Sequence, residues 1–242
     1  MKKTKRINNT RLGCVDIWNS FMVENALYSN NDIPFCPTTS SKIPTSLISY
    51  VNAKALYKKE IAAGNLSFHH PAYVHFYIDD YKFDGSNSGI WYNPNKLLDL
   101  VRHFGGVITP DFSTCSDFPD PLKRWNTYRM RAMGYWLHTS GINVINNVRW
   151  GAPETWAYCF DGLPTDSILS IGTVASGLKR LSNRPLFNDG ITELVKRCSP
   201  HTLAIYGSSS YHIFDELKQF GINIITFPSD TANAFAKGGD RL

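Results

Sequence analysis

Apolar residues along this chain fall into short runs that stop at polar or aromatic positions. Longer stretches with helical spacing lie between them. Val107-Ile108-Thr109 runs into Pro110-Asp111-Phe112-Ser113. Val144-Ile145 runs into Asn146-Asn147-Val148-Arg149-Trp150, and Ile168-Leu169-Ser170-Ile171 into Gly172-Thr173. The pattern predicts strands at 74–78, 107–109, 142–148, 167–172, 203–206 and 222–227, with a Pro-flanked edge strand at 33–37. Helices are predicted at 47–62, 94–104, 120–140, 186–198 and 211–220, with short or ambiguous ones at 21–28 and 154–160. Asn93-Pro94 supplies an N-cap and a first-turn proline, and Gly105-Gly106 reads as that helix's stop. Gly-Ile-Asn-(Val/Ile)-Ile occurs after two helices, at Gly141 and at Gly221, as one solution used twice: glycine ends a helix and a buried strand follows.

Strands alternating with helices imply a parallel sheet. The expected fold is α/β, a partial or complete (β/α) barrel-like sheet with helices outside, with an open doubly wound sheet as the alternative. Residues 1–12 read as a disordered basic arm and 13–242 as a single α/β domain. Within it, 13–70 form a helical or irregular N-terminal portion, 71–228 the repeated strand–helix core and 229–242 a flexible tail. In parallel α/β sheets, sites gather at the strand C-termini.

Composition adds a few bounds. The chain has 242 residues, 43% hydrophobic and 19% charged, enough for a substantial core. Aromatics are abundant, with 14 Phe, 12 Tyr and 6 Trp, and serve cores and ligand pockets alike. The net charge of +5 comes entirely from Lys2, Lys3, Lys5, Arg6 and Arg11, since the remainder balances at 20 bases against 20 acids. That arm is either a solvated terminus or a contact for nucleic acid or another acidic partner. No apolar run suits a membrane span or a signal peptide. Five scattered cysteines without a C-x-x-C pair favour neither a zinc ribbon nor a disulfide framework. Reduced thiols and a cytoplasmic setting are expected.

Several segments together resemble a known family. They are Thr109-Pro110-Asp111-Phe112-Ser113, Asp117-x-Pro119, Trp125-Asn126-x-Tyr128-Arg129-x-Arg131, Val148-Arg149-Trp150-Gly151 and Cys159-Phe160-Asp161-Gly162-Leu163-Pro164. In order and spacing they are similar to domain-of-unknown-function family 4417, over about residues 75–228. The resemblance implies a bacterial, phage or mobile-element setting and no particular activity. Asn146 stands where the family often has Pro, and Gly172 where it often has Ser.

Candidate chemistry sits at the predicted strand ends. Asp80, Asp111 and Asp161 are candidate acid/base groups or ligands of a divalent metal such as Mg²⁺; the alternative is that such acids cap turns and helices. Arg129 lies in an aromatic helical stripe and needs an anionic partner, either Asp111, Asp161 or a ligand. Arg149 and Trp150 suit a planar or anionic ligand, although Trp150 also reads as core. Tyr206, Ser208 and Ser209 form a small-residue loop before a helix, a weak anion site that lacks the P-loop lysine. His75 reads as a core histidine and Cys159 as a buried structural thiol. Three functions remain open: a pocket binding a phosphorylated or nucleotide-like molecule, with hydrolase or transferase chemistry; a non-catalytic protein that binds a host macromolecule, such as an anti-defence or replication-control factor; and nucleic-acid binding through the arm.

Overall fold

A computed structural model of the chain describes residues 3–4, 13–38, 42–86 and 88–239. Among these, seven strands form one parallel sheet: β1 (Leu47–Ser49), β2 (His70–His75), β3 (Phe104–Ile108), β4 (Val144–Asn147), β5 (Ile168–Gly172), β6 (Thr202–Tyr206) and β7 (Asn223–Phe227). Each strand pairs with the next in sequence, and β1 and β7 are the edges. A doubly wound sheet needs a reversal of strand order, and none occurs. Sequential order curls the sheet into a half-barrel with the helices around it. These are α1 (Tyr50–Ala62), α2 (Pro94–Val101), α3 (Asp120–Thr139), the single turn α4 (Trp156–Cys159), α5 (Arg184–Cys198), α6 (His212–Gln219) and α7 (Asp230–Gly239). The last lies where a flexible tail is expected from sequence. A two-residue antiparallel ribbon joins Lys3–Thr4 to Leu27–Tyr28.

The twin Gly-Ile-Asn segments share one geometry. Gly141 and Gly221 have φ of +83° and +84°. The Ile142 amide donates to Leu137 O at 3.0 Å, and the Ile222 amide to Leu217 O at 3.1 Å. A left-handed residue that ends each helix thus turns the chain directly into a strand.

Some predicted boundaries move, for identifiable reasons. Leu47–Ser49 is strand rather than helix, because it pairs with Tyr73–His75 and the sheet overrides local helical spacing. The next strand starts at His70 rather than Val74, with a register shift between His70 and Tyr73 beside Pro71. Gly105 and Gly106 lie inside β3 rather than ending α2. A Cβ on Gly105 would sit 2.3 Å from Pro71 O, and one on Gly106 2.5 Å from the Tyr73 ring. Close strand approach, not helix termination, is their role. The predicted helix at 21–28 is a 3₁₀ turn, Ser20–Val23, followed by extended chain, and the edge strand at 33–37 shrinks to one bridge between Pro34 and Tyr28.

Two apolar clusters lie between sheet and helices. One gathers Val74, Val107 and Val144 with Leu97, Met133 and Leu137; the other gathers Leu169, Leu203 and Ile205 with Ile191, Leu194 and Phe214. The α3 aromatic stripe splits. Met133 and Leu137 reach the first cluster, whereas Trp125 and Trp136 are only half-buried. The segment after Gly13 covers this outer side: Tyr128 Oη donates to Trp18 O, and Phe21 packs edge-on against Trp136. The opposite face of the sheet carries a smaller cluster of Tyr73, Ile108, Ile145 and Ile168, with Leu47 and Tyr77 against it. That inner face leads to the strand C-termini.

Candidate functional site

β3, β4 and the turn after β2 bring three charged side chains to the C-terminal end of the sheet. Asp111 lies three residues beyond β3. Its Oδ1 accepts from Asn147 Nδ2 at 2.7 Å, and its Oδ2 from Arg149 Nη1 at 2.7 Å. Asn147 is the last residue of β4, so Arg149 shares its side of the alternating chain. The Asn147 amide donates to Thr109 Oγ1 at 2.8 Å, locking the ends of β3 and β4 together. Asp80 joins through the loop that follows Asp111: its carboxylate accepts from the Ser113 amide at 3.0 Å and from Ser113 Oγ at 2.9 Å.

The electrostatics link these groups. Asp111 drives the Arg149 guanidinium upward, firmly into its charged form. Burial raises the Asp80 carboxyl above its ordinary value, partly offset by Ser113 and Arg149. The Asp111 and Arg149 side chains remain 14% and 23% exposed, so the pair borders solvent. Among the described residues, Asp111 is the only hydrogen-bond partner of the Arg149 side chain, and Nε and Nη2 point to no protein acceptor.

Beneath this rim lies an aromatic and hydroxyl layer. Tyr77 Oη donates to Asn147 Oδ1 at 3.0 Å and lies 2.7 Å from Ser170 Oγ. The Tyr77 ring stacks on Tyr206 with centroids 5.0 Å apart. Gly172 permits this: a Cβ there would lie 2.7 Å from Tyr77 Cδ1. His75 is fully buried beside Tyr206, with ring centroids 4.4 Å apart. Its Nδ1 accepts from the Tyr77 amide at 3.2 Å, which leaves the proton on Nε2, a buried nitrogen without a hydrogen-bond partner among the described residues. Burial pushes the imidazole down to about 3.

Other residues singled out from sequence lie elsewhere. Asp161 accepts from Asn31 Nδ2 at 2.9 Å and shares no contact with Asp80 or Asp111. Arg129 pairs with neither Asp111 nor Asp161: its Nη1 donates to Asp84 Oδ1 at 2.7 Å, its Nη2 to Asn126 Oδ1 at 2.7 Å, and its guanidinium lies 3.8 Å from the Phe112 ring centroid. It thus braces the loop bearing Asp111 from behind. Trp150 packs against Phe160 and Phe187 in the helix-side cluster. Tyr206, by contrast, belongs to the layer beneath the rim, and its Oη accepts from the Asp230 amide at 3.0 Å. Ser208 Oγ bonds Ser210 Oγ and Ser209 Oγ bonds Thr226 Oγ1, each at 2.6 Å, so both hydroxyls are engaged with protein. Lys2, Lys5, Arg6 and Arg11 lie outside the described residues, as does the side chain of Lys3.

Arg131 escaped sequence reasoning. It is fully buried and donates to the carbonyls of Asn147, Cys159 and Asp161, each at 3.1 Å, tying the end of β4 to α4. Its place two residues after Arg129 in the Trp-Asn-x-Tyr-Arg-x-Arg segment was the available signal. Asn147, Tyr77 and Ser170 carried a weaker one, polar groups at the end of apolar runs. Among the described residues, no three His, Cys, Asp or Glu side chains are grouped to hold a metal ion. Asp80 and Asp111 are therefore at most two protein ligands. Cys36, Cys159 and Cys198 are buried free thiols, and burial pushes them up to about 12, 12 and 11.

Comparison with known proteins gives a consistent picture. The chain is 37% identical over 134 residues to the "Gene 1 protein" of Mycobacterium phage L5, covering 55% of this chain and 56% of that one. It is 35% identical over 138 residues to the "Gene 1 protein" of Mycobacterium phage D29, covering 57% and 49%. The chain therefore spans about half the length of the curated relatives it matches. No solved structure matches it. Among the described residues, no helix is long and apolar enough to cross a membrane. A model of the family described as "Domain of unknown function (DUF4417)" matches residues 27–228. With the strand-end segments of the resemblance inside that span, the chain belongs to the DUF4417 family and is of phage or mobile-element origin.

Proposed function

We propose that the strand-end mouth binds a phosphorylated or nucleotide-like small molecule, with a divalent cation such as Mg²⁺ between ligand and protein. One observation carries the reading: Asp80, Asp111 and Arg149, from separate chain segments, meet at one solvent-bordering rim. Two carboxylates facing one guanidinium leave a net negative charge, which disfavours a bare phosphate and favours a cation. Mg²⁺ needs only one or two protein carboxylates when phosphate oxygens and water complete its shell. The free nitrogens of Arg149 suit the phosphate oxygens that remain. A phosphate held by cation and arginine in this way is open to a hydrolase or transferase step. Thermal-shift measurements with nucleoside mono-, di- and triphosphates, with and without Mg²⁺, test this. The reading expects stabilisation that needs the metal and disappears in Arg149→Gln. No response to any phosphate compound in either condition counts against it.

A second reading rests on a different surface. Val15, Ile17 and Phe21 are 82%, 68% and 50% exposed on the segment that covers α3, and such a patch suits a host macromolecule. Replacing Val15 and Ile17 by Ser should abolish co-purification of a defined host protein while leaving the melting temperature intact; unchanged co-purification opposes this reading.

A further inference from the structure

A second concavity opens beside the N-terminal turns of α5 and α6, away from the Asp111 rim. It is a cleft of about 290 Å³ whose polar lining comes from Arg184, Asn188, Ser210 and His212. Leu178, Tyr211 and Ile213 complete its walls. Both helices follow strands that end at the same side of the sheet as Asp111, so the cleft opens on the face where parallel α/β folds bind ligands.

Its charge is specific. Arg184 Nε donates to Leu178 O at 3.1 Å, and the guanidinium sits 5.4 Å from the Tyr211 ring centroid. These contacts fix the side chain and leave both terminal nitrogens without an acceptor among the described residues. No carboxylate among the described residues lies within ion-pairing distance of Arg184, whereas His212 is already held by Glu216 at 2.9 Å. A half-buried arginine, held in place and without a counter-charge in a polar cleft, lacks the anion that such groups ordinarily meet. Asn188 adds a neutral donor, and the N-terminal amides of α6 add a favourable dipole. The serines proposed from sequence for this task, Ser208 and Ser209, are bonded to Ser210 and Thr226.

We infer that this cleft is a phosphate-binding site for the terminal phosphomonoester of a small molecule, with Arg184 as its principal contact. The cleft shares no residue with the Asp80–Asp111–Arg149 rim and needs no metal, so the inference stands apart from the function proposed above. The test is amide and arginine side-chain NMR of the whole chain, titrated with inorganic phosphate, then with ribose 5-phosphate, in metal-free buffer at concentrations on the order of 10 mM. Shifts confined to Leu178, Arg184, Asn188 and Ser210–Ile213, with binding weakened about tenfold in Arg184→Gln, are the expected result. Ribose 5-phosphate binding more tightly than inorganic phosphate supports a phosphomonoester over the free ion. No shifts in the wild-type chain, or shifts centred on Arg149 that survive in Arg184→Gln, overturn the inference. The mapping is read on the wild-type chain, so a variant that folds poorly does not decide the outcome. Failure here leaves the Mg²⁺-dependent stabilisation at Arg149 to be judged separately.

Discussion

Arg149 Nη1 donates to Asp111 Oδ2 at 2.7 Å although the two residues lie 38 positions apart in the chain. The parallel register of β3 and β4, pairing Ile108 with Ile145, is what sets their loops side by side. The pair is therefore a product of topology, and it stands at the centre of the proposed site.

Arg149→Ala removes one partner and leaves the Asp111 carboxylate with Asn147 alone. At 14% exposure that carboxylate is only partly rehydrated. A loss of about 2 kcal/mol is expected, since an orphaned charged partner costs more than a neutral hydrogen bond. For a chain of this size that corresponds to a fall in Tm of roughly 4–8 °C. Urea unfolding of the variant measures it, and a change within error of zero denies the pair a structural role.

Arg129 and Asp84 form the more buried pair, with side chains 8% and 15% exposed. Arg129→Ala is expected to cost roughly 3–5 kcal/mol, because Asp84 is left largely buried without its partner. The double variant Arg129→Ala/Asp84→Ala should be less damaged than the sum of the singles. A double-mutant cycle by chemical denaturation decides, and strict additivity argues against a coupled pair.

Gly172 and Tyr77 should be coupled through space rather than charge. Gly172→Ala drives a methyl into the Tyr77 ring and should cost about 1–3 kcal/mol by overpacking. The same substitution in a Tyr77→Ala background should cost little, since the obstructing ring is gone. Equal penalties in both backgrounds contradict the contact.

His75 sets a pH dependence with a definite sign. Burial holds its folded pKa at about 3, below the unfolded value of about 6.5, so the unfolded chain binds the extra proton. Its contribution is complete above pH 6.5 and is lost as pH falls toward 3, at about 1.4 kcal/mol per pH unit. Stability curves at pH 7, 5.5 and 4.5 for the wild type and His75→Gln isolate this share. The wild-type curve should be steeper by one proton's slope, and parallel curves exclude the assignment.

Gly141→Ala and Gly221→Ala test the repeated helix stop. Nothing lies within 4 Å of the added Cβ at either position, so only the left-handed backbone is penalised. Each should cost about 1 kcal/mol, and by similar amounts. A large difference between them, measured by thermal unfolding, means the two turns are not equivalent.

That pair of turns shows what the sequence made legible. A glycine at a helix end followed by an apolar run is a local signal, and both copies fold as it implies. The succession of such units specified a parallel, barrel-like sheet. Asp111 and Arg149 were legible too, because polar residues that close apolar strands must emerge at the same rim. Partners that depend on distant loops were not. Asp84 lies in a Gly/Asn-rich loop with no periodicity, and nothing local marks it as the counter-ion of Arg129. Asp161 follows an apolar helix turn like the other acids follow strands, yet its side chain meets Asn31, whose position only the tertiary fold sets. Leu47–Ser49 fitted a helical pattern until pairing with β2 outweighed it.

The most direct measurement is an anomalous-scattering crystal structure of the whole chain grown with Mn²⁺ and AMP. A manganese peak within bonding distance of Asp80 and Asp111, with the phosphate oxygens on Arg149, is the expected result. A closed Asp111–Arg149 pair with neither peak nor nucleotide at the strand ends contradicts the proposed site.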